Sequence, residues 1–279
     1  MGKTNQRHLN IFPLHNILES NTISPVMKNE TIIEVKNLVK KYGDFTAVKG
    51  ISFEVYEGEI FGLLGPNGAG KTTTFEIMET LKDETDGDVI ISGYSINKEA
   101  EKIKTIIGVQ LQASGFPERL TLRELIDLFA ALYDVKVDSV ELLKKVQLGD
   151  KINAYVKDLS GGQKQRFSIA TTLVNKPEVV FLDEPSTGLD PQARLNLWGL
   201  IREIRDSGTT VVITTHFMDE AELLCDRVAV MDEGNILQIG TPDELIETLL
   251  KKGFKREKLE KLATLEDVFL DLTGKALRE

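Results

Sequence analysis

Residues Gly65 to Thr73 read GPNGAGKTT and directly follow the apolar run Ile60-Phe61-Gly62-Leu63-Leu64. A chain with this stretch has few folds open to it. The G-x-x-x-x-G-K-[ST] spacing needs a buried strand to deliver the loop, backbone N–H groups free to wrap a phosphate, and a helix whose N-terminus faces that anion. Gly65, Gly68 and Gly70 let the backbone approach phosphate oxygens and take positive φ. Lys71 would place a point charge on the β and γ oxygens, and Thr72 a hydroxyl on Mg²⁺. Pro66, Asn67, Ala69 and Thr73 complete the same cradle. The expected fold is α/β, with a phosphate-loop core of mostly parallel sheet and flanking helices, and the expected ligand is ATP or GTP.

Composition narrows the role. No apolar stretch approaches the ~20 uncharged residues that cross a bilayer, so a membrane role would come through a partner. The net charge of −10 argues against a general nucleic-acid surface, which needs excess Lys and Arg. The single cysteine, Cys225, fits a reducing cytosol and, beside Leu223 and Leu224, reads as a small core residue.

Residues 1–29 are polar and aperiodic and read as a flexible N-terminal tail, with Met27 a candidate alternative start. From Thr31, Ile33 and Val35 alternate with charged residues, as do Ile51, Phe53 and Val55. That period of two predicts an N-terminal antiparallel β subdomain turning at Lys41-Tyr42-Gly43-Asp44. A helix is expected from Thr73 to about Leu81, and a short strand pair from Asp86 to Gly93. From Lys98 to Lys164 the composition turns helical. Thr121 with Glu124 forms a capping box before the stripe Leu122, Leu125, Ile126, Phe129, Leu132, and Asp138 with Glu141 opens a second helix. An inserted α-helical subdomain is therefore expected at about 112–165, with the uncharged residues around Phe116-Pro117 a candidate docking surface.

The core resumes at Val179 to Leu182, a buried parallel strand, followed by a helix capped by Asp190 with Pro191 at its first position. Trp198 on that helix reads as packing. Thr209 to Thr215 is the next strand, and Arg227 to Gly240 a hairpin around Glu233-Gly234-Asn235. Thr241 with Glu244 caps a C-terminal helical extension over 241–279, leaving 30–240 as the nucleotide-binding domain.

Asp183 and Glu184 stand at the carboxyl end of a buried strand, where open α/β sheets bind ligands. Phosphoryl transfer needs a carboxylate on the metal and a base or positioner for water; Asp183 suits the first task and Glu184 the second. His216 ends the adjacent strand and would reach the γ-phosphate and the attacking water. Gln112 could meet Mg²⁺ or water through its amide oxygen, and Gln110 is a second candidate two residues away. In Leu159-Ser160-Gly161-Gly162-Gln163, Ser160 and Gln163 cap a helix whose exposed N–H groups attract an anion. One chain thus carries a lysine-bearing phosphate loop and a separate anion-binding helix end, which suggests a dimer in which each subunit completes the other's nucleotide site.

Together these motifs resemble the ATP-binding cassette family, the ATPase subunits of ABC transporters, over nearly all of Thr31 to Gly240: GPNGAGKTT, a glutamine loop at Gln112, LSGGQ at 159–163, VVFLDEP, STGLD at 186–190 and His216, in that order. The resemblance implies that Tyr42 stacks on adenine. It further implies that Ser160, Gly162 and Gln163 contact the γ-phosphate held by the opposite subunit, and that Asp190 communicates across the dimer. Gly108 to Gln112, His216 to Glu222 and the ending TLEDVFLDLTGKALRE look like the bacterial drug-exporter type. That likeness implies ATP and Mg²⁺, a homodimer or a heterodimer with a similar ATPase, and a separate transmembrane permease at the cytoplasmic face of the membrane. The competing reading is a soluble cassette acting as a mechanical switch on nucleic acid or ribosomes. The acidic composition, a single cassette and the lack of a long coiled-coil insertion count against it. The chain also lacks an Asn-Lys-x-Asp element for reading guanine.

Overall fold

The computed structural model describes residues 30–110 and 115–254. In chain order the strands are β1 Thr31–Tyr42, β2 Phe45–Tyr56, β3 Ile60–Leu64, β4 Asp86–Ile91, β5 Tyr94–Ser95, β6 Ile107–Gln110, β7 Val179–Asp183, β8 Thr210–Thr215, β9 Arg227–Asp232 and β10 Asn235–Gly240. The helices are α1 Lys71–Met78, α2 Ile96–Ile106, α3 Leu122–Leu132, α4 Ser139–Lys145, α5 Gly161–Thr172, α6 Pro191–Asp206, α7 Met218–Leu224 and α8 Pro242–Lys251.

The strands form two sheets, ordered β2-β1-β4-β5 and β10-β9-β3-β8-β7-β6. The first is antiparallel and begins with the hairpin that the alternation predicts, turning at Gly43 with φ 58°. In the second, β6, β7, β8, β3 and β9 run parallel and only β10 returns antiparallel. Strands β3 and β8 are buried along their whole length, which is why their sequences are apolar runs without alternation. All five parallel strands therefore end at one edge, and β3, β7 and β8 carry the phosphate loop, Asp183-Glu184 and His216 to it.

Each face of the parallel sheet has its own core. On one, Phe61, Phe181 and Val212 pack with Phe75 of α1 and with Val35 and Phe53 of the antiparallel sheet. Phe53 stacks on Phe61 at 5.4 Å, and Phe75 meets Phe181 edge-on at 5.3 Å. On the other, Val180, Leu182 and Ile213 pack with Phe167, Leu197 and Ile201 of the long helices α5 and α6. Cys225 is buried as expected; a Cβ added to Gly62 would lie 2.7 Å from its Sγ, so the strand can pass only because residue 62 has no side chain.

The structure departs from the sequence expectations at several points. Helix α1 starts two residues early, at Lys71, and stops at Met78, because Thr80 turns the chain with φ 60°. The helical composition from Lys98 is interrupted by β6, an edge strand of the core that follows α2. Leu132 is 73% exposed: it sits in the last turn of α3, at the margin of the stripe whose centre, Leu122, Leu125 and Ile126, is fully buried. Phe116 is half-buried, packing edge-on against Phe167 at 5.0 Å and Phe129 at 6.3 Å, while Gly115 and Pro117 beside it are exposed. Among the described residues no helix is long and apolar enough to cross a membrane. The tail over 1–29, Gln112 and the ending TLEDVFLDLTGKALRE lie outside the described residues.

Candidate functional site

The phosphate loop leaves β3 and is clamped from two sides. Gly65 N donates to Thr215 O at 3.3 Å, and Gly234 N donates to Ala69 O at 2.9 Å. The glycines serve different ends. Gly68 and Gly70 take φ of 85° and 100°, as expected, but Gly65 is absent from the positive-φ residues. Its requirement is steric instead: a Cβ there would lie 2.1 Å from Met231 O. Gly70 combines both demands, since its Cβ would lie 2.6 Å from Ala47 O.

Helix α1 has no side-chain cap, whereas α3, α5, α6 and α8 each have one. Its first N–H groups are therefore open to an anion. Lys71 is folded into the loop, 4% exposed, with Nζ donating to Gly65 O at 2.8 Å and Pro66 O at 3.0 Å. Burial pushes its ammonium below the usual lysine value, while the charges of Glu184 and Asp183 oppose that shift. Tyr42, Phe45 and Ala47 share one cleft with Asn67, Gly68, Gly70 and Lys71 to Thr73. Tyr42 is 44% exposed, and the ammonium groups of Lys40 and Lys82 lie 5.3 and 5.8 Å from its ring centroid.

At the same edge Thr214, at the end of β8, holds the acidic pair. Its Oγ1 donates to Asp183 Oδ1 and accepts from Glu184 N at 3.0 Å. Burial raises the Asp183 carboxyl above the ordinary carboxylate range, the Thr214 hydrogen bond lowers it and the Glu184 charge raises it. Glu184 has φ 45°, a left-handed value for a residue with a side chain, which persists only where the surroundings impose it. His216 Nδ1 lies 3.1 Å from Glu184 Oε1, a close polar contact that is not aligned as a hydrogen bond. Glu184, His216, Asp183 and Lys71 are thus brought together, as the sequence spacing predicts.

The capped helix start at Ser160 is formed. Ser160 Oγ accepts from Gln163 N at 3.3 Å and Gln163 Oε1 accepts from Ser160 N at 2.9 Å, closing the capping box at the start of α5. Asp190 Oδ1 accepts from Ala193 N at 2.8 Å, and a Cβ on Gly162 would lie 3.0 Å from the Ala193 Cβ, so the two helix starts abut. None of Ser160, Gly162, Gln163 and Asp190 lines the cleft of the phosphate loop. Gln110 is buried at the end of β6 with its Oε1 unpartnered among the described residues.

Several contributors escaped sequence reading: Thr214, Thr215, the Ala47 and Met231 carbonyls, and Glu79. The hydroxyl pair closing an apolar strand was the only available signal. Glu79, at the end of α1, is 4% exposed with Oε1 unpartnered. Burial, with the charges of Asp183 and Glu76, pushes its carboxyl up to about 8. Between pH ~4.5 and that value the folded chain holds a proton that the unfolded chain has lost, so stability falls as pH rises and levels off above it. Glu79→Gln removes this term. The variant is expected to gain at least ~1 kcal/mol over wild type on going from pH 5 to pH 8.5 in denaturant titrations, and parallel pH profiles would refute the assignment.

A glycine-rich loop at an uncapped helix start, facing an acidic pair across a parallel sheet, defines a phosphate-loop nucleoside triphosphatase. A family model described as ABC transporter matches residues 48–187. The Linearmycin resistance ATP-binding protein LnrL of Bacillus subtilis is 38% identical over 223 residues, 78% of this chain and 72% of that protein. The Nod factor export ATP-binding protein I of Burkholderia orbicola is 42% identical over 221 residues, 77% of this chain and 73% of that protein. A solved dimeric ATP-binding cassette in a post-hydrolysis state, bound to ADP and Pi, superposes with TM-score 0.67 at 28% identity, covering 75% of this chain and 98% of that one. The chain belongs to the ABC transporter family, and its ligand is ATP.

Proposed function

We propose that this chain is the ATP-binding and ATP-hydrolysing subunit of an ABC exporter, which dimerises on ATP and drives a separate transmembrane permease from the cytoplasmic face of the membrane. The observation that carries the hydrolytic reading is the Glu184–His216 contact of 3.1 Å at the edge that also holds Lys71. A relative named for Nod factor export supports the direction of transport. The presence in one chain of a lysine-bearing phosphate loop and a second, capped helix start at Ser160-Gly162-Gln163 supports completion of each site by a second subunit, homologous or identical.

In this reading the free amides of the loop between Asn67 and Thr73 hold the phosphates, Lys71 leaves the loop carbonyls for the β and γ oxygens, and Tyr42 stacks on adenine. Glu184 accepts the proton of the attacking water on a carboxylate oxygen, while His216, held against it, fixes the γ-phosphate. As that water bonds to the γ phosphorus, the bond to the β–γ bridging oxygen breaks and ADP leaves.

Mg²⁺ fits the residues present. Asp183 and Glu184 place more negative charge beside Lys71 than one ammonium offsets. Thr72, Gln112 and Asp183 would hold it, and when bound it neutralises charge on the β and γ oxygens. In the same reading Asp190, which caps α6, relays between subunits.

The test is capture. Tagged Glu184→Gln protein with ATP, incubated with detergent-solubilised native membranes, should retain a polytopic membrane protein. Recovery of ribosomes or nucleic-acid proteins in its place would move the function to a soluble mechanical switch.

A further inference from the structure

Two residues beyond Glu184 and four beyond His216 the chain buries a polar triad that the hydrolytic reading above does not use. Ser186 and Glu220 are 0% exposed and Trp198 3%. The Ser186 hydroxyl donates to Glu220 Oε1, and Trp198 Nε1–H donates both to that oxygen and to Ser186 Oγ, each at 3.0 Å. Three segments converge there: the loop leaving β7, helix α6 and helix α7.

Packing alone does not account for the triad. Taking a carboxyl wholly out of water is costly, and an apolar side chain of similar volume commonly does as well or better for stability. Glu220 Oε2 has no hydrogen-bond partner among the described residues, so the site is not even fully satisfied. What a buried polar network does supply is a single geometry.

The geometry concerned is that of Glu184 and His216. The left-handed backbone of Glu184 is held on the sheet side by Thr214 Oγ1 at 3.0 Å. On the opposite side Ser186 ties the same loop to Glu220. Helix α7 follows His216 after one residue, Phe217, and is fastened to α6 a second time. Arg194 pairs with Asp219 at 3.1 Å and lies over the Phe217 ring at 4.8 Å. Helix α6 is thus the common anchor for both functional side chains, and Glu220 is the point where their segments meet.

We propose that Glu220, gripped by the Trp198 indole N–H and the Ser186 hydroxyl, is a positioning residue that sets the Glu184–His216 spacing for attack on the γ-phosphate. This rests on the hydrolytic reading above. The test uses the full-length chain. Trp198→Phe keeps a six-membered aromatic ring but removes the N–H donor and the five-membered part of a buried indole. It is expected to lower kcat ~10-fold or more with ATP affinity close to wild type, at a modest cost in the thermal transition. Glu220→Gln, which retains an acceptor for both donors, should keep most of the activity. In a Glu184→Gln background Trp198→Phe should cost clearly less single-turnover rate than in wild type, because one of the two groups it positions is already removed. Should Trp198→Phe fold poorly, Ser186→Ala carries the same measurement.

Wild-type kcat in Trp198→Phe, or an equal loss in both backgrounds, would overturn the inference while leaving the Glu184 assignment intact. Wild-type turnover in Glu184→Gln alone would remove the hydrolytic assignment and this inference with it.

Discussion

Glu184→Gln is expected to lower kcat for ATP hydrolysis by about 10²- to 10⁴-fold, the range for loss of a positioned general base. The substitution keeps the shape of the side chain and its capacity to accept the Thr187 hydroxyl, now 3.2 Å from Oε2. It removes the negative charge and the proton acceptor beside His216. The Glu184 N–H to Thr214 bond is a backbone donation and is unaffected by the change. ATP affinity should therefore hold or rise, since one carboxylate no longer repels the phosphates. Blocked after binding, the variant should accumulate as an ATP-loaded dimer, read by size-exclusion chromatography with retained nucleotide. If turnover stays near wild type, Glu184 is not the base and the acidic pair needs another assignment.

Lys71→Met is expected to weaken ATP binding by about 30- to 100-fold, which corresponds to roughly 2–3 kcal/mol, the worth of hydrogen bonds to a charged group. In the ligand-free chain Nζ is spent on Gly65 O and Pro66 O, 4% exposed and short of water. Methionine keeps most of the volume without the cost of a buried charge, but leaves those two carbonyls unpartnered. The two effects oppose, so the stability change should be small beside the loss of affinity. Isothermal titration with ATP, paired with denaturant unfolding, separates them. A large fall in stability with unchanged affinity would show that Lys71 serves the loop and not the ligand.

Much of this protein was decided by local rules that the amino-acid order carries on its surface. The strand-loop-helix around GPNGAGKTT, the capping boxes at Thr121, Ser160 and Thr241, and the apolar runs of β3, β7 and β8 depend on neighbours within a few residues. Hydrophobic period, cap chemistry and glycine placement therefore made them legible. The order of motifs placed Lys71, Asp183, Glu184 and His216 in one site, because parallel strands deliver their carboxyl ends to a common edge.

What the sequence could not settle were contacts between segments distant in the chain. Whether Gly65 needs positive φ or merely space depends on the Met231 carbonyl, far along the chain, and the answer is space. The aromatic edge at Phe116 turned inward because Phe129 and Phe167 are there to receive it. Lys98 to Lys164 is helical in composition, yet pairing with β7 makes a strand of Ile107–Gln110. Glu79 and Glu220 look like ordinary helix-surface acids by composition. Only the packed fold removes both from water, and their consequences follow from that burial, which no local pattern encodes.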